Sequence, residues 1–398
     1  MKLAIAFTNF GPYHLARLRA LGISLGQRGR ELVAHEMAGE EKKYPWRAER
    51  LAEPFTWTTL FPDHAIEDLS AASCVAAMTE ALDRDRPDAV AVVGYARPES
   101  MAALKWAENH GKPAILLSET QEIDHPRAWW KEAVKRRRVR RFAAALVGGE
   151  RHRAYLAKLG MPFDRIVLGY NAVDNVGYAS RTQALRSSGE RPPGLADRDY
   201  FLAVNRFVPE KNLVRLVHAF AMYRADAAPE CAWDLVLCGG GPDEAEVDSL
   251  IRHLGLKAAI HRPGFLQESE LAAWYAHASA FVHPSRMEPW GLVVNEAAAC
   301  GLPLLVSDRA GCVETLVPDP PGATGRRIDP DDVDAMAGAM AWMAGLEPAE
   351  RNDMGCRASR VVFDWGPERF ASGLIEALEL ANSGSGAPSQ VSREEYAR

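Results

Sequence analysis

Two carboxylates stand out in FVHPSRMEPWGLVVNEAAACGLP, residues 281–303. Glu296 falls among Leu292, Val293, Val294, Ala297, Ala298 and Ala299. A helix that apolar is buried, and a buried carboxylate without a partner is costly. Either an Arg or Lys pairs with it, or its two oxygens accept the hydroxyls of a vicinal diol such as a ribose. Glu288 lies on the loop before that helix. After Pro289 and Trp290, the free N–H groups of Gly291 and Leu292 open the helix, where amides and dipole together suit an anion. Gly291, having no side chain, lets a ligand approach the backbone. At a rise of ~1.5 Å per residue the two carboxylates are ~10 Å apart. That span fits the two ends of one extended nucleotide-sugar, hexose at Glu288 and ribose at Glu296. A solvated loop carboxylate is the other reading of Glu288.

Two more segments carry suitable chemistry. In AVNRFVPEKN, Arg206 and Lys211 follow an apolar strand and open a helix. Two cations there oppose the charge that develops on a departing diphosphate. In WDLVLCGGGPDEAEV a strand, a glycine turn and a helix succeed one another, and Gly239 and Gly240 permit backbone approach. The spacing is not G-x-G-x-x-G, so a nicotinamide cofactor is poorly supported.

EPWGLVVNEAAACGLP resembles the signature of glycosyltransferase family 4, retaining enzymes of the GT-B fold. That signature has two Glu with seven residues between them, on a loop and the helix after it, then a small-residue run and Gly-x-Pro. The resemblance is close over Phe201–Val317 and holds in outline elsewhere. It implies two doubly wound α/β, Rossmann-like domains facing across a cleft. It also implies a UDP-, GDP- or ADP-sugar donor, an acceptor that is a sugar, a lipid-linked or a small molecule, no cofactor and no metal. It implies that Arg206 and Lys211 neutralise the diphosphate and that Glu288 fixes the sugar hydroxyls, on a loop continuing through Pro289, Trp290, Gly291 and Leu292. Glu296 would take the ribose. HRPGFLQESEL would hold the base through backbone near Gly264 and Phe265, and Gly11 of TNFGPYH would face the donor sugar or acceptor. YNAVDN resembles the family's Asn-Gly-Val-Asp turn, with Ala172 in place of glycine. In AILLSETQEIDHP the family's His is missing. Glu119 there could orient the acceptor hydroxyl, or simply face solvent.

The surrounding pattern supplies the scaffold. Short apolar runs (3–7, 32–35, 89–93, 114–117, 144–147 and 166–168) alternate with amphipathic helical segments, and the alternation resumes at 201–204, 234–237, 259–261, 280–283 and 304–306. This is the mark of parallel sheets covered by helices on both faces. We expect an acceptor domain over 1–180, completed by a last helix near 362–382, and a nucleotide-sugar domain over 199–361. The polar stretch 181–198 reads as a linker or mobile loop and 383–398 as a disordered tail.

Composition bounds the rest. The 398 residues fit two domains, and a net charge of −6 gives no basic field for nucleic acid. The six cysteines form no C-x-x-C pair and read as reduced, buried thiols. No signal peptide or membrane span is apparent, so a cytoplasmic protein is expected. RAWWKEAVKRRRVRR, residues 127–141, is the exception. It reads as a solvated helix with core-facing Trp129 and Trp130, as a peripheral contact with the inner membrane face, or, least well, as a nucleic-acid site. Asp83–Asp85 and Asp197–Asp199 match D-x-D, but a helix end and a linker are poor places for a metal. A nucleotide-sugar epimerase and a silent nucleotide-binding module are the rival readings.

Overall fold

The computed structural model describes residues 1–42, 52–192, 194–195, 198–229, 231–318 and 323–383. Seven parallel strands form the first sheet: β1 (Lys2–Phe7), β2 (Glu31–Glu40), β3 (Thr56–Ala65), β4 (Ala89–Val93), β5 (Ala114–Ser118), β6 (Ala144–Val147) and β7 (Ile166–Leu168). Their spatial order is β3, β2, β1, β4, β5, β6, β7. The second sheet has β8 (Tyr200–Val204), β9 (Asp234–Cys238), β10 (Ile260–Gly264), β11 (Ala280–His283), β12 (Leu304–Ser307) and β13 (Gly325–Ile328), ordered β10, β9, β8, β11, β12, β13. Strand order therefore reverses between β1 and β4 and between β8 and β11. At such points the strand ends diverge and leave a crevice for a ligand.

Each sheet is apolar on both faces because helices cover both. Ala4, Val90, Val92 and Leu116 belong to one core cluster, and their strand neighbours Leu3, Ile5, Ala91, Ile115 and Leu117 to another. In the second sheet Leu202, Val236 and Phe281 face one core, and Phe201, Ala203, Leu235 and Val282 the other. Continuous apolar runs are thus the correct signature of these strands.

The last helix, Pro367–Ser383, crosses back to the first domain. Phe370, Leu374 and Leu378 pack there with Leu15, Leu18 and Leu21. The preceding helix ends at Phe363, and Pro367 opens the new one, so residues 362 and 363, expected in the crossing helix, belong to the second domain's Pro348–Phe363.

Several expectations need correction. Residues 181–188 are not an irregular linker: the helix Asn175–Ser188 runs through them, capped by the Asp174 carboxylate, which accepts from Gly177 N at 2.9 Å. Residues 193, 196 and 197 lie outside the described residues, as does the expected tail from 384. Strand β3 was not foreseen, because TWTTLFPDHA is polar and holds a proline. An edge strand, bonded on one side only, tolerates both. Trp129 and Trp130 do not face the core: they are 82% and 55% exposed. Cys231 and Cys356 are exposed, while the other four cysteines are buried. Among the described residues no helix is long and apolar enough to cross a membrane.

Phe370 has no exposed surface and joins the crossing helix to the first domain's core. Phe370→Ala should cost ~3–5 kcal/mol and lower the thermal midpoint. An unchanged midpoint would show that the crossing helix contributes nothing to the first domain.

Candidate active site

The site begins where β11 ends. The chain leaves the sheet at His283 and turns through Pro284 and Ser285 to Glu288. At Gly291 it adopts φ +103°, a left-handed conformation that opens the helix Leu292–Ala299. A β-carbon at Gly291 would be strained by that angle and would lie 3.3 Å from the Glu288 and Val294 side chains. Gly311 N donates to Glu288 O (3.0 Å) and Cys312 N to Trp290 O (3.1 Å), clipping the loop to its neighbour.

The first domain holds the same loop from the other side. The Gln121 amide donates to Glu288 O at 2.8 Å and to Arg309 O at 2.9 Å. His152 Nδ1 accepts from Gly149 N at 3.0 Å, which leaves the proton on Nε2 to donate to Pro289 O at 2.7 Å. The Trp290 ring fills the seam. A β-carbon at Gly148 would sit 2.8 Å from it, so glycine is what lets the two domains meet there.

The Glu288 carboxylate is buried and points back into the second domain. His283 Nε2 donates to it at 2.7 Å, and the Lys211 ammonium bonds the same oxygen. Burial pushes this carboxyl upward, but the Lys211 charge and the His283 hydrogen bond outweigh it and hold it well below the usual carboxylate range. Asn212 places the lysine. It sits at φ +61°, which Asn tolerates, and its amide donates to Pro284 O (3.1 Å) and Pro330 O (2.7 Å). Glu288 is therefore not a solvated loop carboxylate.

Glu296 is met by hydroxyls instead of a cation. Tyr275 donates to Oε2 at 2.7 Å, and Tyr13, from the first domain, donates to Oε1. Among the described residues no Arg or Lys forms the salt bridge considered from the sequence. Burial pushes the Glu296 carboxyl up to about 7, and the Tyr13, Tyr275 and Tyr178 hydroxyls recover only part of the shift.

One cavity of about 900 Å³ connects these groups, within the range of small-molecule sites. Its lining includes Gly11, Glu119, Arg206, Lys211, Gly239, Gly240, Phe265, Glu288, Pro289, Trp290, Gly291, Leu292 and Glu296. Gly264 does not line it; its carbonyl accepts from Gly239 N at 2.8 Å and so supports the wall from behind. Trp290 is only 1% exposed and offers a ligand almost no surface. Gly239, at φ +121°, passes so close to Asn205 O that a β-carbon would lie 1.9 Å from it. Glu119 accepts from the Asn171 amide at 2.7 Å. Gly11 caps the helix Pro12–Gly26, and its N–H donates to His14 Nδ1 at 3.2 Å.

Sequence reasoning missed Tyr13, Tyr178, Tyr275, Gln121, His152 and His283. It also missed Glu36, whose buried carboxylate accepts from Phe10 N (2.7 Å), Thr59 (2.7 Å) and Trp57 (3.1 Å) and fixes the loop after β1. Only the charged Glu36, inside an apolar run, carried a visible signal.

Comparison with known proteins bears on family likeness and fold. Residues 190–361 match the family described as glycosyl transferases group 1. Those residues are similar to that family, and the chain has the GT-B fold. It is 32% identical to the GDP-mannose-dependent alpha-(1-6)-phosphatidylinositol monomannoside mannosyltransferase of Mycolicibacterium smegmatis, over 37% of this chain and 39% of that one. The matched stretches span 39%, 41% and 55% of three curated relatives. Sucrose-phosphate synthase from Thermosynechococcus elongatus superposes with a TM-score of 0.74 at 19% identity, covering 96% of this chain and all of that one. The Anabaena protein HepE, in complex with UDP and glucose, gives 0.69 at 17% identity, covering 95% and 99%. At such identities the structural likeness establishes the fold.

In this GT-B protein the raised Glu296 value has a thermodynamic consequence. Its carboxyl keeps a proton in the fold up to about pH 7, against an ordinary value of 4.5. The stabilisation is present at low pH and is lost as pH rises through that window, at up to ~1.4 kcal/mol per pH unit. Glu296→Gln is neutral throughout. Its stability relative to wild type should therefore rise between pH 5 and pH 8 in denaturant melts. Parallel curves would refute the assignment.

Proposed function

We propose that the chain is a retaining, metal-independent transferase moving a hexose from a nucleoside-diphosphate sugar to a hydroxyl acceptor. The observation that carries the reading is one cavity between two Rossmann-like sheets, lined by Arg206, Lys211, Glu288, the Gly291 helix mouth and Glu296. The diphosphate lies against Arg206, Lys211 and the helix mouth, the hexose at Glu288 and the ribose at Glu296. The base rests on Phe265, and the acceptor enters from the first-domain side, near Gly11 and Glu119. The bond from sugar C1 to the phosphate oxygen breaks, and the acceptor oxygen bonds C1 on the same face. The acceptor proton passes to the leaving diphosphate. Fixed cations then do what a divalent ion does elsewhere. GDP-mannose use by the Mycolicibacterium relative and UDP in the HepE complex make GDP- and UDP-sugars the first donors to test.

Arg206→Ala should lose turnover by about 10²-fold or more, as removal of one charge-stabilising donor does, with an unchanged melting curve. Wild-type turnover in the variant would exclude the role. Activity should also survive excess chelator, and its loss there would favour a metal enzyme. Release of free or isomerised sugar without a transfer product would instead support the epimerase reading.

We also propose peripheral contact with an anionic membrane through the helix Trp129–Val139. Trp129, Trp130 and Val134 are outward, and Lys131, Arg136, Arg137 and Arg140 are exposed beside them. Indole rings suit the interface, and each cation near such a surface contributes ~1 kcal/mol. The chain should pellet with anionic vesicles at low salt, and Trp129→Ala/Trp130→Ala should weaken this. No pelleting at low salt would remove the idea.

A further inference from the structure

We infer that Tyr13 is a gate over the ribose seat, its hydroxyl occupying Glu296 until the nucleotide of the donor takes its place. The inference rests on the nucleotide-sugar reading above. Glu296 forms part of the cavity wall, yet the residue has 0% exposure. No diol can reach its oxygens unless something moves. Three hydroxyls meet the carboxylate: Tyr275 on Oε2, Tyr13 on Oε1, and that of Tyr178, which is buried in the same core as Tyr275.

They differ in freedom. Tyr275 is fully buried within the second domain's core, 6.1 Å edge-on from Tyr178 and 6.1 Å from Phe281. Moving it would open a hole in that core. Tyr13 comes from the first domain and is only partly buried. It is the second residue of the helix Pro12–Gly26 and itself lines the cavity. Its backbone is anchored, because Arg17 Nε donates to Tyr13 O at 3.0 Å and Arg17 Nη1 to Tyr170 O at 3.2 Å. The side chain can therefore swing into the cavity while the helix stays in place.

The exchange is chemically even: a phenol O–H leaves a carboxylate oxygen and a ribose O–H replaces it. It is not even for the two domains. The Tyr13–Glu296 bond joins them at the nucleotide end, whereas Gln121 and His152 join them at the Glu288 loop. Donor binding breaks the first link and leaves the second. The nucleotide end loosens while the loop that carries Glu288 stays held.

Calorimetric titration of the full chain with UDP, GDP and ADP tests this, using wild type, Tyr13→Phe, Tyr13→Leu and Tyr275→Phe, each checked by thermal melting. Tyr13→Phe removes only the competing hydroxyl. It should bind the nucleotide about tenfold more tightly, the worth of one hydrogen bond. Tyr13→Leu should also bind more tightly than wild type, and Tyr275→Phe should not. Equal or weaker binding by both Tyr13 variants, with wild type still binding, overturns the gate and leaves the nucleotide site standing. If none of the three nucleotides binds wild type or any variant, the donor-site reading falls and the gate with it.

Discussion

The ion pair between Lys211 and Glu288 is the interaction on which the rest of the site depends. A carboxylate in this buried position would by itself prefer to be neutral. A cation in contact and the His283 hydrogen bond reverse that preference. The pair joins the loop after β8 to the loop after β11, the two sides of the second sheet's switch point. With the Glu288 side chain turned inward, its backbone carbonyl and that of Pro289 face outward. The first domain takes hold of those carbonyls. The same few residues therefore shape the helix mouth at Gly291 and fix where the two domains meet.

Two glutamates on one loop and helix are held in opposite electrostatic states. Glu288 has a cation and stays ionised. Glu296 has phenols and is pushed toward neutrality. Both are buried, so burial cannot distinguish them. The partner decides. An ionised group beside Lys211 keeps that lysine from collapsing onto other acceptors. A carboxylate poised near neutrality can sit among aromatic rings without a counter-ion and still accept two hydroxyls when a diol arrives.

The seam between the domains is hydrogen-bonded and thinly packed. Trp290 is a large apolar element in it, lying against Gly148 and Gly149 and 5.4 Å from Trp365. Other contacts across it are single side chains reaching a carbonyl or a carboxylate, as those of Gln121, His152 and Tyr13 do. Such contacts can be exchanged one at a time with a ligand, whereas a continuous apolar interface would have to open as a whole. The crossing helix Pro367–Ser383 supplies the permanent tie, through Phe370 and its neighbours in the first domain's core.

The sequence by itself determined both sheets, most strand positions and the charged residues that line the second-domain half of the cavity, Arg206, Lys211, Glu288 and Glu296. Apolar runs bounded by turns, and a carboxylate inside an apolar helix, are local patterns with one physical outcome. The edge strand β3, with its polar sequence, and the helix that runs on through 181–188 escaped because their local composition is ambiguous until neighbours are in place. Only the tertiary structure decided the partners. Glu296 meets Tyr13 across 283 positions of sequence, and Gln121 meets Glu288 across 167. A phenol or an amide carries no sign in its own neighbourhood that it will satisfy a distant buried group. Which hydroxyl, amide or cation answers each carboxylate is set by the way the two domains pack, and that packing is a property of the whole chain.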